Sequence, residues 1–484
     1  MKEKIIAIDQ GTSSTRAVLY DAKGRLLDAA QEEFQQFFPQ EGWVEHNPEL
    51  IWESVLSTLT ALTKKNNLTS SDIASIGITN QRETTIVWNR KTGEPISNAI
   101  VWQDRRTAEF CNSLSGEEKL VQKKTGLTLD PYFSATKLHW LLNNIEGAKE
   151  LAINGDLLFG TVDTYLIWKL TEGRSFKTDV TNASRTMLFN IKEQEWDEDL
   201  LNLFQVPKKM LPEVCDNVHN FGFTSILGGE ITIGGVAGDQ QAALIGQCCF
   251  DPGEVKSTYG TGCFMIVNTG EHILTSENKL LSTIGYRING ETTYALEGSI
   301  FVAGSAVQWL RDGLNFFKDS SETESLAKDA STDSNVLVVP ALTGLGAPYW
   351  DADARGAIFG LTRDTNIADI TRATLESIIF LSRDLLEAMK KDNANFNSLM
   401  VDGGMVVNNW FCQQLSNILE VQVLRPKIIE TTSLGAGYLA GLHAGVFENI
   451  DSLKTYKQID ETFNPLKESN RYKEWKRAVE KVLT

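Results

Sequence analysis

Ile5 to Tyr20 reads IIAIDQGTSSTRAVLY. The apolar run Ile5 to Ile8 has the character of a buried strand and stops at an acid, Asp9. Gly11 follows, then the hydroxylated run Thr12 to Thr15, then Arg16 and a second apolar run from Ala17 to Tyr20. Two apolar runs about a glycine and small hydroxyls predict a β-hairpin. Its turn carries no nucleophile with a base beside it. It offers backbone N–H groups, hydroxyl donors and one carboxylate at a strand end, the parts that cradle phosphate oxygens and hold a hydrated Mg²⁺. An ordinary hairpin with a polar tip fits the same residues.

The pattern returns about half a chain later. Lys256 to Asn268, KSTYGTGCFMIVN, again reads strand, Gly-Thr turn, strand, with Gly260-Thr261 echoing Gly11-Thr12. Two half-length α/β domains that each open on such a hairpin suggest a duplication with a cleft between the halves. A third glycine-rich piece, Leu399 to Asn409 (LMVDGGMVVNN), predicts a strand ending in Asp402-Gly403-Gly404 and a helix capped near Asn408.

Between these lie the elements that deliver polar groups. After the hairpin, Leu26 to Phe38 reads as an alternating strand, and Asn47-Pro48-Glu49 as the cap of a helix from Pro48 to Lys64. Ile73 to Thr79 is a buried strand that ends in Asn80-Gln81-Arg82-Glu83, and open α/β folds bind ligands at such strand ends. Arg82 and Glu83 also fit a solvated ion pair. Thr84 to Trp88 is expected to be a strand, Leu138 to Leu142 to start a helix, Phe159 to Leu170 to be strand or helix, and Met210 to Val214 a break. In Gly234 to Gln247, GGVAGDQQAALIGQ, Gly238 turns into a helix with Asp239 in its first turn, where the dipole favours an ionised carboxylate. A plain capping aspartate is the alternative. Gly437, Gly441 and Gly445 read as one small-residue helix face suited to close packing on a sheet, and Tyr472 to Leu483 as a charged terminal helix.

Composition bounds the partners. At 484 residues the chain is expected to form two domains or three, and 42% hydrophobic with 23% charged residues is a soluble globular balance. No apolar run reaches membrane-spanning length, and MKEKIIAIDQ enters a strand without a signal-peptide core. Six cysteines without C-x-x-C spacing point to reduced thiols and a cytoplasmic protein, and five mutually isolated histidines to no metal cluster. A net charge of −17 argues against nucleic acid or an anionic membrane as partner. An anionic nucleotide would need positive potential made locally, by Mg²⁺, N–H groups and helix N-termini.

With these pieces placed, the chain resembles the actin-like ATPase superfold, and within it the FGGY carbohydrate kinases. YFSATKLHWLLNN (Tyr132 to Asn144) resembles that family's first signature, and GAIFGLTRDTNIADITRATLES (Gly356 to Ser377) its second. ITNQRETTIVWNRKTGEPISNAIVWQDRRTAE, GTVDTYLIWKL, DVTNASRTMLFNI, AGDQQAALIGQ, STYGTGCFMIVNTGE, ALEGSIFVAG and VPALTGLGAPYWD resemble the family's glycerol-phosphorylating members. The likeness runs from Ile5 to about Gly445. It implies two duplicated actin/hexokinase-like (ribonuclease H-like) domains, residues 1–247 for glycerol and phosphate and 248–484 for nucleotide, with ATP and Mg²⁺ as cofactors. It also implies a dimer or tetramer.

The resemblance assigns roles residue by residue. Arg82, Glu83, Tyr132, Asp239 and Gln240 match the residues that hold glycerol hydroxyls, and Trp102 and Phe264 those that pack on its carbons. Thr12, Ser13, Ser14, Arg16, Thr261, Gly304, Gln308, Gly404 and Asn408 match the nucleotide positions, and Asp9 the acid near Mg²⁺. Asp239 is the candidate general base. Two rivals remain at this stage: a kinase of the same family for a pentose or pentitol, and a chaperone- or actin-like switch, which needs no polyol pocket. In some members of the family a glycine- and arginine-bearing loop before the Ala-Gly-Asp-Gln segment binds fructose 1,6-bisphosphate. Here the equivalent stretch, Thr224 to Gly235, has no Arg or Lys, and insensitivity to that sugar is expected.

Overall fold

A computed structural model describes residues 2–351, 353–394, 396–466 and 471–484. The strands that build its two large sheets are β1 (Lys4–Gln10), β2 (Ser14–Tyr20), β3 (Leu26–Glu33), β4 (Ile73–Asn80), β5 (Phe223–Thr224), β6 (Ile231–Gly238), β7 (Val255–Tyr259), β8 (Cys263–Gly270), β9 (Leu281–Ile288), β10 (Glu291–Ile300), β11 (Ser398–Asp402), β12 (Gln422–Pro426) and β13 (Ile459–Phe463). The helices used below are α1 (Pro48–Lys65), α2 (Ser134–Asn144), α3 (Val162–Leu170), α4 (Asp239–Gly246), α5 (Gly304–Gln308), α6 (Ile367–Lys391), α7 (Asn409–Leu419), α8 (Thr431–His443) and α9 (Arg471–Val479).

The first sheet has the order β5-β6-β4-β1-β2-β3 and the second β9-β10-β8-β7-β11-β12-β13. In each, a hairpin (β1–β2, β7–β8) pairs antiparallel with a third strand on one side and carries two parallel strands on the other. The echo of Gly11-Thr12 in Gly260-Thr261 is therefore an echo of topology. Parallel strands are covered on both faces, which is why β1 reads as an unbroken apolar run. Ile6 and Ile8 enter one core with Ile51, Val55 and Leu59 of α1, while Ile5 and Ala7 enter another with Leu434, Ala436 and Leu439 of α8. Asn47 caps α1 by accepting from the Glu49 N–H at 2.9 Å.

Helices α4 and α8 lie against each other between the sheets, and α8, late in the chain, also packs across β1, β4 and β6 of the first sheet. The approach is backbone to backbone. A Cβ on Gly435 would fall 1.8 Å from the Ala242 carbonyl oxygen, one on Gly246 2.0 Å from that of Thr431, and one on Gly77 2.0 Å from that of Ala436. Gly437 and Gly441 do face the sheet, against Tyr20 and Ile5. Gly445 does not share that face: it lies past the end of α8 with φ +68°.

Several element boundaries differ from the sequence reading. Phe159 to Leu170 is both alternatives in turn, the end of a strand (Leu157–Gly160) and then α3. Helix α2 starts at Ser134, four residues before the apolar run that announced it. The strand expected at Thr84 to Trp88 spans Ile86–Asn89, and the stretch read as a break ends in a strand, Glu213–Cys215, paired with Lys177–Asp179. The Leu26 to Phe38 strand is interrupted after Glu33, and β3 is a largely exposed edge strand. The terminal helix is shorter than expected, ending at Val479. Among the described residues no helix is long and apolar enough to cross a membrane.

Candidate active site

The parallel strands put their carboxyl ends at one edge. In the first sheet Gln10, Asn80 and Gly238 are level, so Asp9, the Arg82-Glu83 pair and Asp239 leave the sheet side by side. In the second, Thr258 is level with Asp402, so the Gly260-Thr261 turn and Gly403-Gly404 leave it together. Between the two edges lies a cavity of about 130 Å³ lined by Thr12, Arg82, Glu83, Trp102, Tyr132, Asp239, Gln240, Thr261 and Phe264, all named from the sequence, together with Thr258, Gly260 and Gly262. It falls short of the roughly 300–1,000 Å³ of pockets for drug-sized ligands, so it suits a molecule of a few heavy atoms.

Its wall is aromatic. Trp102 meets Tyr132 and Phe264 edge-on at centroid distances of 5.7 and 6.0 Å, and its Nε1–H donates to Thr12 Oγ1 at 2.9 Å. Its floor is charged. Arg82 is buried and gives two parallel bonds to Glu297, Nη1 to Oε2 at 2.6 Å and Nη2 to Oε1 at 3.0 Å, while its Nε lies 3.1 Å from Asp239 Oδ1. Glu83 sits in the left-handed region at φ +61°, unusual for a residue with a side chain. Its carbonyl accepts from the hydroxyls of Ser134 (2.9 Å) and Thr85 (3.1 Å), and its Oε1 accepts from Arg185 Nε at 2.7 Å. These bonds hold the conformation and make Glu83 a buried partner of two arginines, which excludes the solvated surface pair.

Asp239 is the first residue of α4, and its Oδ1 accepts the Gln240 N–H at 2.7 Å. Burial pushes its carboxyl above the ordinary carboxylate range, against the opposing pull of the Arg82 and Lys256 cations. A carboxyl tuned upward but still paired with a cation suits a general base near neutral pH. Lys256 is itself buried and donates to Gln240 Oε1 and, at 2.9 Å, to Thr258 Oγ1. The Gln240 amide therefore presents its NH₂ side away from Lys256.

Asp9 does not line the cavity but stands beside it. Burial raises its carboxyl to about 7, Arg16 opposing and the Glu430 and Asp239 carboxylates adding to the rise. A half-buried acid left short of positive charge fits a cation site. Arg16 is held by Gln31 Oε1 at 2.9 Å and by an ion pair with Glu430, which leads into α8 from the other half of the chain. Gln31 in turn donates to Ser14 Oγ at 3.0 Å, and Ser13 is exposed at the turn.

Gly304, Gln308, Gly404 and Asn408, the other positions expected to bind nucleotide, lie outside the lining of that cavity. Gly304 opens α5, its N–H bonds the Gly260 carbonyl at 2.9 Å, and a Cβ there would lie 2.6 Å from that oxygen. Gly403 (φ +90°) packs equally closely on Tyr259, whereas Gly404 faces open space. Gln308 is exposed at the end of α5. Asn408 caps α7, accepting the Phe411 N–H at 2.9 Å, and its amide lies 3.4 Å from Thr323 Oγ1.

Sequence reasoning missed Arg185, Glu297 and Lys256. Glu297 had a local signal: a carboxylate in the apolar strand Tyr294 to Ile300 must find a buried partner. Against the expectation for histidine, Glu213, Cys215 and His219 do bring a carboxylate, a thiol and an imidazole within 4.8 Å. Lys177 Nζ, however, lies 3.1 Å from His219 Nε2, so that ring nitrogen already has an ammonium as partner.

Comparison with known proteins agrees over the whole length. The FGGY family of carbohydrate kinases matches through its N-terminal domain at residues 4–246 and its C-terminal domain at residues 255–444. The chain is 56% identical to a glycerol kinase of Marinomonas sp. (strain MWYL1), covering all of both chains, and 57% identical to a glycerol kinase of Alteromonas mediterranea, covering 100% of this chain and 99% of that one. A Plasmodium falciparum glycerol kinase solved with ADP superposes with a TM-score of 0.90 at 37% identity, over 99% of this chain and 98% of that one. A ligand-bound xylulose kinase from Lactobacillus acidophilus, 24% identical with a TM-score of 0.86 over 98% and 96% of the two chains, shares the fold.

Proposed function

The chain belongs to the FGGY family of carbohydrate kinases, and from that premise we propose the reaction of its cleft: transfer of the γ-phosphoryl group of ATP to glycerol, giving sn-glycerol 3-phosphate and ADP. The observation that carries this reading is the meeting of the Arg82-Glu83 pair, Asp239 and the Gly260-Thr261 turn around one small cavity. A triol needs donors and acceptors together. Arg82 supplies an N–H donor and Glu83 a carboxylate oxygen, Tyr132 and Gln240 add a hydroxyl and an amide, and Trp102 and Phe264 cover the carbons. Buried polar groups that a poorer substrate leaves unpaired give a selectivity that an apolar pocket lacks.

Phosphoryl transfer asks for positioning, charge stabilisation and a base. Asp239 takes the proton of the attacking hydroxyl, and its raised affinity for protons supports that role. Thr12, Ser13, Ser14, Arg16 and Thr261 hold phosphate oxygens from the two facing turns. Gly304, Gln308, Gly404 and Asn408 hold the remainder of the nucleotide. Asp9 would hold Mg²⁺, which when bound would supply charge neutralisation at the phosphates. We assign residues 1–247 to glycerol and phosphate binding and residues 248–484 to nucleotide binding. Six unpaired buried cysteines support a reducing, cytoplasmic compartment. A homo-oligomer, dimer or tetramer, follows the family expectation, and light scattering of the purified chain reads it.

One screen tests the function. ADP release is measured with glycerol, xylulose, ribulose and no acceptor. Release dependent on glycerol supports the reading. Release with a pentulose but not glycerol, or equal release without acceptor, overturns it.

A further inference from the structure

We propose that Glu297 and Arg185, which do not line the cavity, are positioning residues that decide its selectivity for a triol, through a four-member ion lattice joining the two halves of the chain. The inference rests on glycerol being the substrate. Arg82, Glu83 and Arg185 come from the first half and Glu297 from strand β10 of the second. In sequence Glu297 is 215 residues from Arg82 and 112 from Arg185. All four side chains are at most 2% exposed.

The lattice can be counted donor by donor. Arg82 places Nη1 and Nη2 on the two oxygens of Glu297, Nη1 also lies 3.2 Å from Gln241 Oε1, and Nε faces Asp239. Arg185 bridges the carboxylates, Nε to Glu83 Oε1 at 2.7 Å and Nη2 to Glu297 Oε1 at 3.0 Å, with its guanidinium over the rings of Tyr132 and Phe133 at 5.7 and 5.3 Å. Glu297 Oε1 accepts a third bond from the Ser299 hydroxyl at 3.1 Å. Three of the five Arg82 N–H donors make these hydrogen bonds, Nε forms an ion pair with Asp239, and Nη2 keeps one N–H without a partner, while Glu83 keeps Oε2 without a partner, among the described residues. One donor and one acceptor on adjacent residues, both lining the cavity, suit one hydroxyl group that gives and takes a hydrogen bond. Their spacing is fixed by Glu297 and Arg185, which hold the opposite sides of the same two groups. Fork-to-fork pairing adds orientation to attraction, so the lattice sets where the two free atoms point.

The test compares glycerol with 1,2-propanediol, which lacks one terminal hydroxyl, in wild type and in Glu297→Gln, a change of near-constant shape that removes the charge and one acceptor. The expected result is a glycerol KM raised at least tenfold, an ATP KM within twofold of wild type, and a preference for glycerol over the diol, in kcat/KM, reduced at least tenfold. Uniform loss of activity with the preference intact would mean a merely structural role and overturn the proposal. Arg185→Lys, which keeps a cation but not the bridge, is measured beside it. Should Glu297→Gln not fold, the preference ratio in Arg185→Lys decides by the same criterion. If wild type itself does not phosphorylate glycerol, it is the assigned reaction that fails.

Discussion

Asp239 answers to two demands at once, since it must attract a proton from a hydroxyl and still be ionised when the hydroxyl arrives. Burial serves the first, and Arg82 at 3.1 Å with Lys256 serves the second. Asp239→Asn keeps the shape and a hydrogen-bonding oxygen but cannot take the proton. It is expected to lower kcat by about 10²–10⁴ while calorimetry still detects glycerol binding. Near-wild-type turnover would end the assignment. Arg82→Ala removes a charged partner, and a loss of about 1.5–3 kcal/mol predicts a large rise in glycerol KM with ATP KM little changed. The ion lattice adds a second expectation for this variant, because Glu297 would lose its two-point partner and keep only Arg185. Folding stability should fall by about 3–5 kcal/mol in a denaturant titration. Away from the cleft, Asp163 is buried with Thr161 Oγ1 at 2.5 Å and Thr178 Oγ1 at 2.7 Å, and burial with the neighbouring Asp179 charge raises its carboxyl to about 7. A raised folded-state value means that the fold, relative to the unfolded chain, gains protons and stability as pH falls from about 7 towards 4. Asp163→Asn should remove that gain. The wild type should approach the variant's melting temperature as pH drops from 8 to 5, and a constant difference across that range would refute the account.

Helix α8 shows what a close seam asks of sequence. Gly435 meets the Ala242 carbonyl where a Cβ would sit 1.8 Å away, whereas a Cβ on Gly437 would lie 3.1 Å from the Tyr20 ring. Gly435→Ala must push two backbones apart and is expected to cost at least about 1–3 kcal/mol, and Gly437→Ala clearly less. Equal chemical midpoints for the two variants would show that the seam yields. The contrast also marks how far the sequence could be read. Strands β1 and β4 were legible because each is an apolar run that stops at polar residues, and β7 because the Gly260-Thr261 turn after it repeats Gly11-Thr12, whereas β6 was not read as a strand; the shared carboxyl edge follows from parallel pairing. The helix face of Gly437 and Gly441 was legible from its spacing, but Gly435, the tightest contact, was not, because its partner is a carbonyl on another helix. The same holds for Arg185 and Glu297, whose partners are more than a hundred residues away. Phe159 to Leu170 stayed open because a four-residue strand and a nine-residue helix abut with one residue between them, and no single period describes both.

For the molecule as a whole, charge sets what it can bind outside the cleft. The edge formed by β5 and the turn before β6 contains Gly228 with open space around it and Gly229 against Ser70, followed by Glu230. A doubly phosphorylated sugar needs charged donors there, and on a chain of net charge −17 a glycine turn beside a glutamate repels it. Initial rates at fixed ATP and glycerol should therefore stay constant as fructose 1,6-bisphosphate rises into the millimolar range. A saturable fall that vanishes on deleting Gly228-Gly229 would prove the loop a binding site. The position of α8 reaches further, into the making of the protein. All six strands of the first sheet are present once residue 238 has been synthesised, yet the helix that covers the inner face of β1 and β2 begins at Thr431. At about 5–20 residues per second the ribosome leaves that face, with Ile5, Ala7, Val18 and Tyr20 on it, uncovered for on the order of ten to forty seconds. The amino-terminal half thus carries an open apolar face during its own synthesis, and that face is covered only when the carboxy-terminal half returns to close it.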